Sequence, residues 1–212
     1  MKKLLAWFAG RKPSAEAQAA DPKKILLSLP TLSGDTVPLA PLDGAPGPGD
    51  LVFHEDDWRQ IECFAASRTE EIVRKLADLK RFEAAHRRHG GYDAVFARKL
   101  APARVLEGLP QALEEALGAK AGPGPVLFHG ANSVTGRVED GFSLPLAGKV
   151  SLYGTRDMTV LGAAMPAGAD SEVLARAFMT LHARHGLIQA DWRSQMLLLK
   201  VEDGGDLKVW RP

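Results

Sequence analysis

The spacing of apolar and polar residues along the chain predicts strands and helices in separate blocks. Short apolar or alternating runs predict strands at 25–29, 51–54 and 58–66. Between the last two, the acidic residues 55–57 favour a hairpin turn. Residues 30–50 contain five prolines and several glycines, a density that predicts a long surface loop or edge segment rather than regular structure.

Helical spacing replaces alternation in the middle of the chain. Ser67 and Thr69 precede two glutamates, a pattern typical of a helix start, and apolar residues then recur at helical spacing. The pair Gly90–Gly91 predicts the end of that helix. Shorter helical patterns predict helices at 92–100 and at 110–117, where a proline fits the first helical position.

The second half of the chain is rich in predicted strands. They are expected at 126–129, 134–139, 149–153, 158–164, 187–192, 195–202 and 207–210. Asp170 is the expected cap of a helix at 171–185, and Asp203-Gly204-Gly205 is the strongest turn signal. Because strands and helices do not alternate strictly, we predict an α+β fold, with a largely antiparallel sheet packed with several helices and a C-terminal β-hairpin.

The N-terminal region differs in character from the rest. Residues 1–24 are expected to form a short helix and a linker, because prolines and polar residues follow the first apolar run. Residues 25–212 are expected to form a single α+β domain. Arg11 and Lys12 interrupt the only signal-like run, and no apolar run approaches the roughly 20 residues that span a bilayer. We therefore expect a cytoplasmic protein without a membrane partner.

Composition and charge narrow the classes of partner. The 212 residues have a formal net charge of +1, so the whole molecule has no bulk attraction for nucleic acid. A basic excess between Arg74 and Lys99 is interpreted as a solvated helix face, because no aromatic residues interleave on it. Cys63 is the only cysteine, which excludes an intramolecular disulfide, and its apolar surroundings predict a core residue.

Histidines near two predicted helix ends raise the possibility of metal chemistry. His86 and His89 extend one apolar stripe, and His182 and His185 lie at the end of another helix. With the group His54-Glu55-Asp57 they would make a metal-assisted hydrolase. No known ligand spacing is matched, so histidines bonded at helix ends are the favoured interpretation, and no metal or cofactor is predicted.

Two Asp-Trp-Arg segments are the candidate recognition residues. They are Asp57-Trp58-Arg59 and Asp191-Trp192-Arg193, each followed by an apolar run. Tryptophan and arginine are enriched at binding hot spots, so rings and guanidinium groups from neighbouring strand ends could form one exposed patch. The alternative is that both rings lie in the core.

From these patterns we predict a non-enzymatic bacterial interaction domain that binds another protein. The partner-binding residues would be the six of the two Asp-Trp-Arg segments. The alternative, from another class, is the metal-assisted hydrolase.

Overall fold

The computed structural model describes residues 26–212 except 109, 130–132 and 203–205. The predicted N-terminal helix and linker at 1–24 lie outside the described residues, as does the predicted turn at 203–205. The fold is α+β, as predicted, with a large antiparallel sheet and a C-terminal strand pair. The assignment of 25–212 to a single domain stays a prediction.

The described strands and helices depart from the predicted order in two places: short strands lie within 30–50, where a loop was predicted, and others lie between the first two helices. The strands are β1 (Thr31–Ser33), β2 (Leu39–Ala40), β3 (Val52–His54), β4 (Ile61–Ala65), β5 (Arg87–Arg88), β6 (Gly91–Tyr92), β7 (Phe96–Arg98), β8 (Gly122–Pro123), β9 (Val126–His129), β10 (Ser133–Val138), β11 (Gly141–Pro145), β12 (Ser151–Thr155), β13 (Leu161–Ala164), β14 (Leu187–Asp191), β15 (Met196–Val201) and β16 (Leu207–Trp210). The helices are α1 (Thr69–His86), α2 (Pro110–Leu117) and α3 (Ser171–His185).

An eight-stranded antiparallel sheet forms the centre of the molecule. Its strand order is β16-β15-β14-β4-β13-β12-β11-β8. β4 pairs with β14 along its whole length, whereas it pairs with β13 only through Glu62 and Gly162. A smaller sheet has the order β2-β10-β9-β3, and two-stranded pairs join β1 to β7 and β5 to β6.

The sheet is covered on both faces, so the molecule has three layers. On one face, α2 and α3 pack their apolar side chains, such as Leu113 and Leu174, against the sheet. On the other face, α1 packs through Leu76 and Leu79 against one half of the sheet. The smaller sheet contributes Leu127 to a separate apolar cluster beside the one under α1. The face that carries α1 therefore has two cores with a boundary between them.

Helices α2 and α3 have the predicted bounds because their start signals are local. The Asp170 Oδ1 accepts a hydrogen bond from the backbone N–H of Glu172 at 2.9 Å, and Gly186 ends α3 with a left-handed φ of 63°. The predicted cap of α1 is wrong: the Thr69 hydroxyl donates to the Ala66 carbonyl, and no side chain caps the helix.

Three sequence predictions are corrected by tertiary pairing. Residues 55–57 form a 3-10 turn that leads from β3 in the smaller sheet to β4 in the larger one, so they do not close a hairpin. Residues 92–100 form no helix, because β7 pairs in parallel with β1. The pair Gly90–Gly91 does not end α1, which has already ended at His86; residues 89–90 turn between β5 and β6, and Gly91 begins β6. The short strands β1, β2, β5, β6 and β8 were not predicted, and neither was β11.

Among the described residues, no helix combines the length and the apolar character needed to cross a membrane.

Candidate functional site

The two Asp-Trp-Arg segments meet at one end of neighbouring strands. Asp191, the last residue of β14, lies opposite Ile61 at the start of β4. The backbone N–H of Trp192 donates to the carbonyl of Gln60 at 2.9 Å, and the Arg193 guanidinium pairs with Asp57 at the surface. Register of the β4–β14 pair therefore brings together all six residues that the sequence singled out.

Both tryptophan rings are buried, so they form no exposed patch in this structure. Trp58 is 5% exposed and stacks on Tyr153, with 4.9 Å between ring centroids. Trp192 is fully buried and meets Phe64 edge-on in the core under α1. Asp57, Asp191 and Arg193 remain at least partly exposed. The role of these residues in partner binding stays a prediction.

Arg59 is the centre of a network of charged groups that is buried except at Asp35, which is exposed. Its φ of 59° is left-handed, which costs a non-glycine residue roughly 1 kcal/mol. Three contacts hold it there: Nε donates to Glu62 Oε1 at 2.5 Å, Nη1 donates to Asp35 Oδ2 at 2.5 Å, and the backbone N–H donates to the Tyr153 hydroxyl at 2.7 Å. Hydrogen bonds thus fix a strained residue next to a strand start.

Arg98 continues this network towards α1. Its Nη2 donates to the carbonyl of Arg59 at 2.8 Å and its Nη1 to the hydroxyl of Thr31 at 2.9 Å. Its guanidinium carbon lies 4.8 Å from the centroid of the Trp192 ring, and the indole N–H donates to Glu62 at 3.0 Å. The charged groups therefore occupy the boundary between the two cores.

Burial and pairing shift the pKa values of this network. Desolvation lowers the pKa of Arg98 to about 10, and it raises that of the Tyr153 hydroxyl. Burial also opposes the charge of Arg59, but the carboxylates of Glu62 and Asp35 outweigh it and raise its pKa. At neutral pH both arginines are charged and the tyrosine is neutral.

A large cavity lies in front of the network. Its volume is about 700 Å³, and Arg59 and Trp58 line it from the first Asp-Trp-Arg segment. Other apolar wall residues are Val37, Pro38, Leu100, Pro102 and Val160. Arg59 therefore belongs both to the charged network, through its carboxylate partners, and to the lining of the large cavity.

The rim of the large cavity is acidic. Glu139, Asp140 and Asp157 line it, and none of them forms a salt bridge with a residue that the structure describes. Partial burial raises the pKa of Asp157, but hydrogen bonds from Thr155 and Thr159 outweigh this effect and lower it. Arg156 is the basic residue of the rim without such a pair. The rim thus carries a surplus of negative charge.

The histidines lie in several places. His54 and His129 come together, with 6.4 Å between ring centroids, and His129 pairs with Glu55. His86 bonds to Asp93 at 2.8 Å, and His182 bonds to the carbonyl of Leu187 at 2.8 Å, near the ends of α1 and α3. Within the described ranges, no group of three or more potential ligands could hold a metal ion.

Comparisons with protein-family models, with curated proteins and with solved structures found no significant match. The function must therefore be argued from the geometry of the site.

Sequence reasoning missed the residues that complete the network. Asp35, Arg98 and Tyr153 lie far from Arg59 in the sequence, so only the fold brings them to it, whereas Glu62 is three residues away. One signal was present, because Glu62 is a charged residue inside an otherwise apolar strand run. Such a residue is expected to find a buried partner, although its identity requires the structure.

Proposed function

We propose that the protein is a non-enzymatic binding domain that takes a segment of a partner protein into the large cavity. The observation that carries this proposal is a preformed cavity of about 700 Å³ whose lining combines apolar side chains with an excess of carboxylates. This volume is within the range of roughly 300–1,000 Å³ that is typical of ligand sites. We place the interaction in the cytoplasm, because Arg11 and Lys12 interrupt the signal-like apolar run.

Charge complementarity defines the chemistry of the partner segment. Three carboxylates of the rim, those of Glu139, Asp140 and Asp157, have no described ionic partner, against one such guanidinium, that of Arg156. A segment with apolar side chains flanked by lysine or arginine would complement both wall and rim.

The saturation of the buried groups favours binding over proton transfer. Glu62 accepts hydrogen bonds from Arg59 and Trp192, and the Tyr153 hydroxyl accepts one from the Arg59 backbone. A general acid or base needs an ionisable group that faces the substrate and has a pKa near the operating pH. These groups instead stabilise one conformation of the wall.

Site-specific photo-crosslinking in the source cells tests this proposal. A photoreactive residue is placed at Thr36 or at Ala101, two exposed positions that line the cavity, and at the exposed Lys208 on β16 as a control. We expect the same protein to be captured from both cavity positions and not from Lys208. Capture of different proteins, or equal capture from Lys208, would contradict the proposal.

Charge reversal tests the chemistry of that partner. Glu139→Lys combined with Asp157→Lys is expected to reduce the crosslinked yield about tenfold, since like charges then face the basic segment. The matched control combines Asp43→Lys with Glu115→Lys, which change the charge equally at exposed positions outside the cavity. Equal yields from the two double variants would exclude a basic partner segment.

A further inference from the structure

A second, smaller pocket lies where the end of α1 meets the loop between β14 and β15. Its volume is about 220 Å³. Four basic side chains line it: Lys80, Arg87, Arg193 and Arg211. We call this site the basic pocket. It shares no lining residue with the large cavity.

The positive charge of the basic pocket is only partly compensated. Glu83 is its one acidic side chain, and this carboxylate already accepts hydrogen bonds from Arg87, Tyr92 and Gln195. Arg193 uses one nitrogen to pair with Asp57. The four positive side-chain charges of the lining therefore remain in excess over its one carboxylate.

Two of the basic side chains are available to a ligand. Lys80 and Arg211 are exposed, and neither forms a salt bridge with any residue in the described ranges. The one hydrogen bond of the Arg211 side chain to a described residue is to the sulfur of Met196, a weak acceptor, at 3.6 Å. An anion could therefore bind them without breaking an ion pair.

Gln195 gives the basic pocket a fixed floor. It is 7% exposed, its φ of 49° is left-handed, and its side-chain amide donates to Glu83. Its Oε1 has no hydrogen-bond partner among the described atoms. A donor group on a ligand next to the anion would satisfy this acceptor.

We propose that the basic pocket binds a phosphate monoester group. Such a group carries about −1.5 to −2 charges and three acceptor oxygens, which suits several convergent lysine and arginine donors. The pocket is smaller than the roughly 300–1,000 Å³ of sites that enclose a whole ligand, so it fits a group rather than a molecule. Its lining contains no aromatic ring for base stacking, which disfavours single-stranded nucleic acid.

Calorimetric titration of the full chain tests this site at constant ionic strength. The probes are inorganic phosphate, a neutral peptide with one phosphoserine, and the same peptide unphosphorylated. We expect both phosphate probes to bind and the unphosphorylated peptide not to bind. Tighter binding of the phosphopeptide would identify a phosphorylated protein as the source, and equal affinity would identify a free phosphate group.

Matched double variants locate the binding. Lys80→Ala with Arg211→Ala is expected to weaken phosphate binding about tenfold or more. Arg74→Ala with Lys208→Ala removes the same charge from exposed positions outside the pocket and should leave the affinity within about twofold. Both variants are expected to fold, since all four side chains are exposed, and circular dichroism verifies this. Equal weakening in both variants, or no binding by wild-type protein at millimolar phosphate, would overturn the proposal.

Discussion

Trp58 and Trp192 occupy similar sequence contexts, yet they stabilise different parts of the molecule. Trp58 packs with Tyr153 in the core under the smaller sheet. Trp192 packs under α1, donates to Glu62 and lies against the Arg98 guanidinium. Arg98 and Glu62 lie buried at this boundary with hydrogen-bond partners, and removing a partner would leave a buried polar group unsatisfied, which costs free energy of folding.

Truncation of either ring should therefore destabilise the fold. We expect Trp58→Ala and Trp192→Ala each to lower the free energy of unfolding by about 3–5 kcal/mol, because each leaves a large buried cavity. Urea unfolding followed by circular dichroism measures this loss. Val209→Ala, at a 43% exposed apolar position, is the control and should change the stability by less than about 0.5 kcal/mol.

A smaller change separates the ring from its hydrogen bond. Trp192→Phe keeps an aromatic ring but removes the N–H that Glu62 accepts, and it is expected to cost about 1–3 kcal/mol. Near-wild-type stability of Trp192→Ala would contradict the burial described above and revive an exposed recognition patch.

At the scale of elements, the sequence predicted the helices that have local start and end signals, but it did not predict which distant strands pair. The bounds of α2 and α3 could be read from Pro110, Asp170 and helical spacing. Residues 92–100 also have a helical pattern, but pairing of β7 with β1 prevails, and Phe96 contacts Phe82 of α1. For the same reason, the Asp-Trp-Arg segments were recognisable in sequence, whereas their contacts to Asp35 and Arg98 depend on sheet register.

The Asp170 cap gives a test at this scale. Asp170→Ala removes the acceptor for the Glu172 N–H and should cost about 1 kcal/mol, while Asp170→Asn should cost only a few tenths. Thr69→Ala at the start of α1 is the comparison, because its hydroxyl donates to Ala66 and caps no N–H. Thermal unfolding of the three variants measures the difference, and an equal loss for Thr69→Ala and Asp170→Ala would contradict the assigned cap.

At the scale of the whole molecule, the reactivity of Cys63 measures how far solvent reaches the core between the layers. It is 2% exposed, as predicted for a core residue, and it packs with residues of α2, α3 and several strands. Burial raises the pKa of its thiol to about 12, so the reactive thiolate is scarce at pH 8 and inaccessible as well.

We expect a thiol reagent at pH 8 to leave the folded protein unlabelled and to modify one thiol per chain in denaturant. Val209→Cys is the matched control, since it adds an exposed thiol on β16 that should react within the mixing time. Rapid labelling of wild-type protein in native buffer would show that the layers open readily around β4.

The single residue pair between β4 and β13 has a mechanical consequence. Where two strands pair along their length, a pulling force is shared among successive hydrogen bonds, but here Glu62 and Gly162 alone bridge the halves of the sheet. Side chains hold the halves together instead, through the core that α3 covers on one face and the charged network on the other. Under tension the sheet would therefore part along this line first, and it would yield two intact four-stranded ribbons rather than a frayed edge.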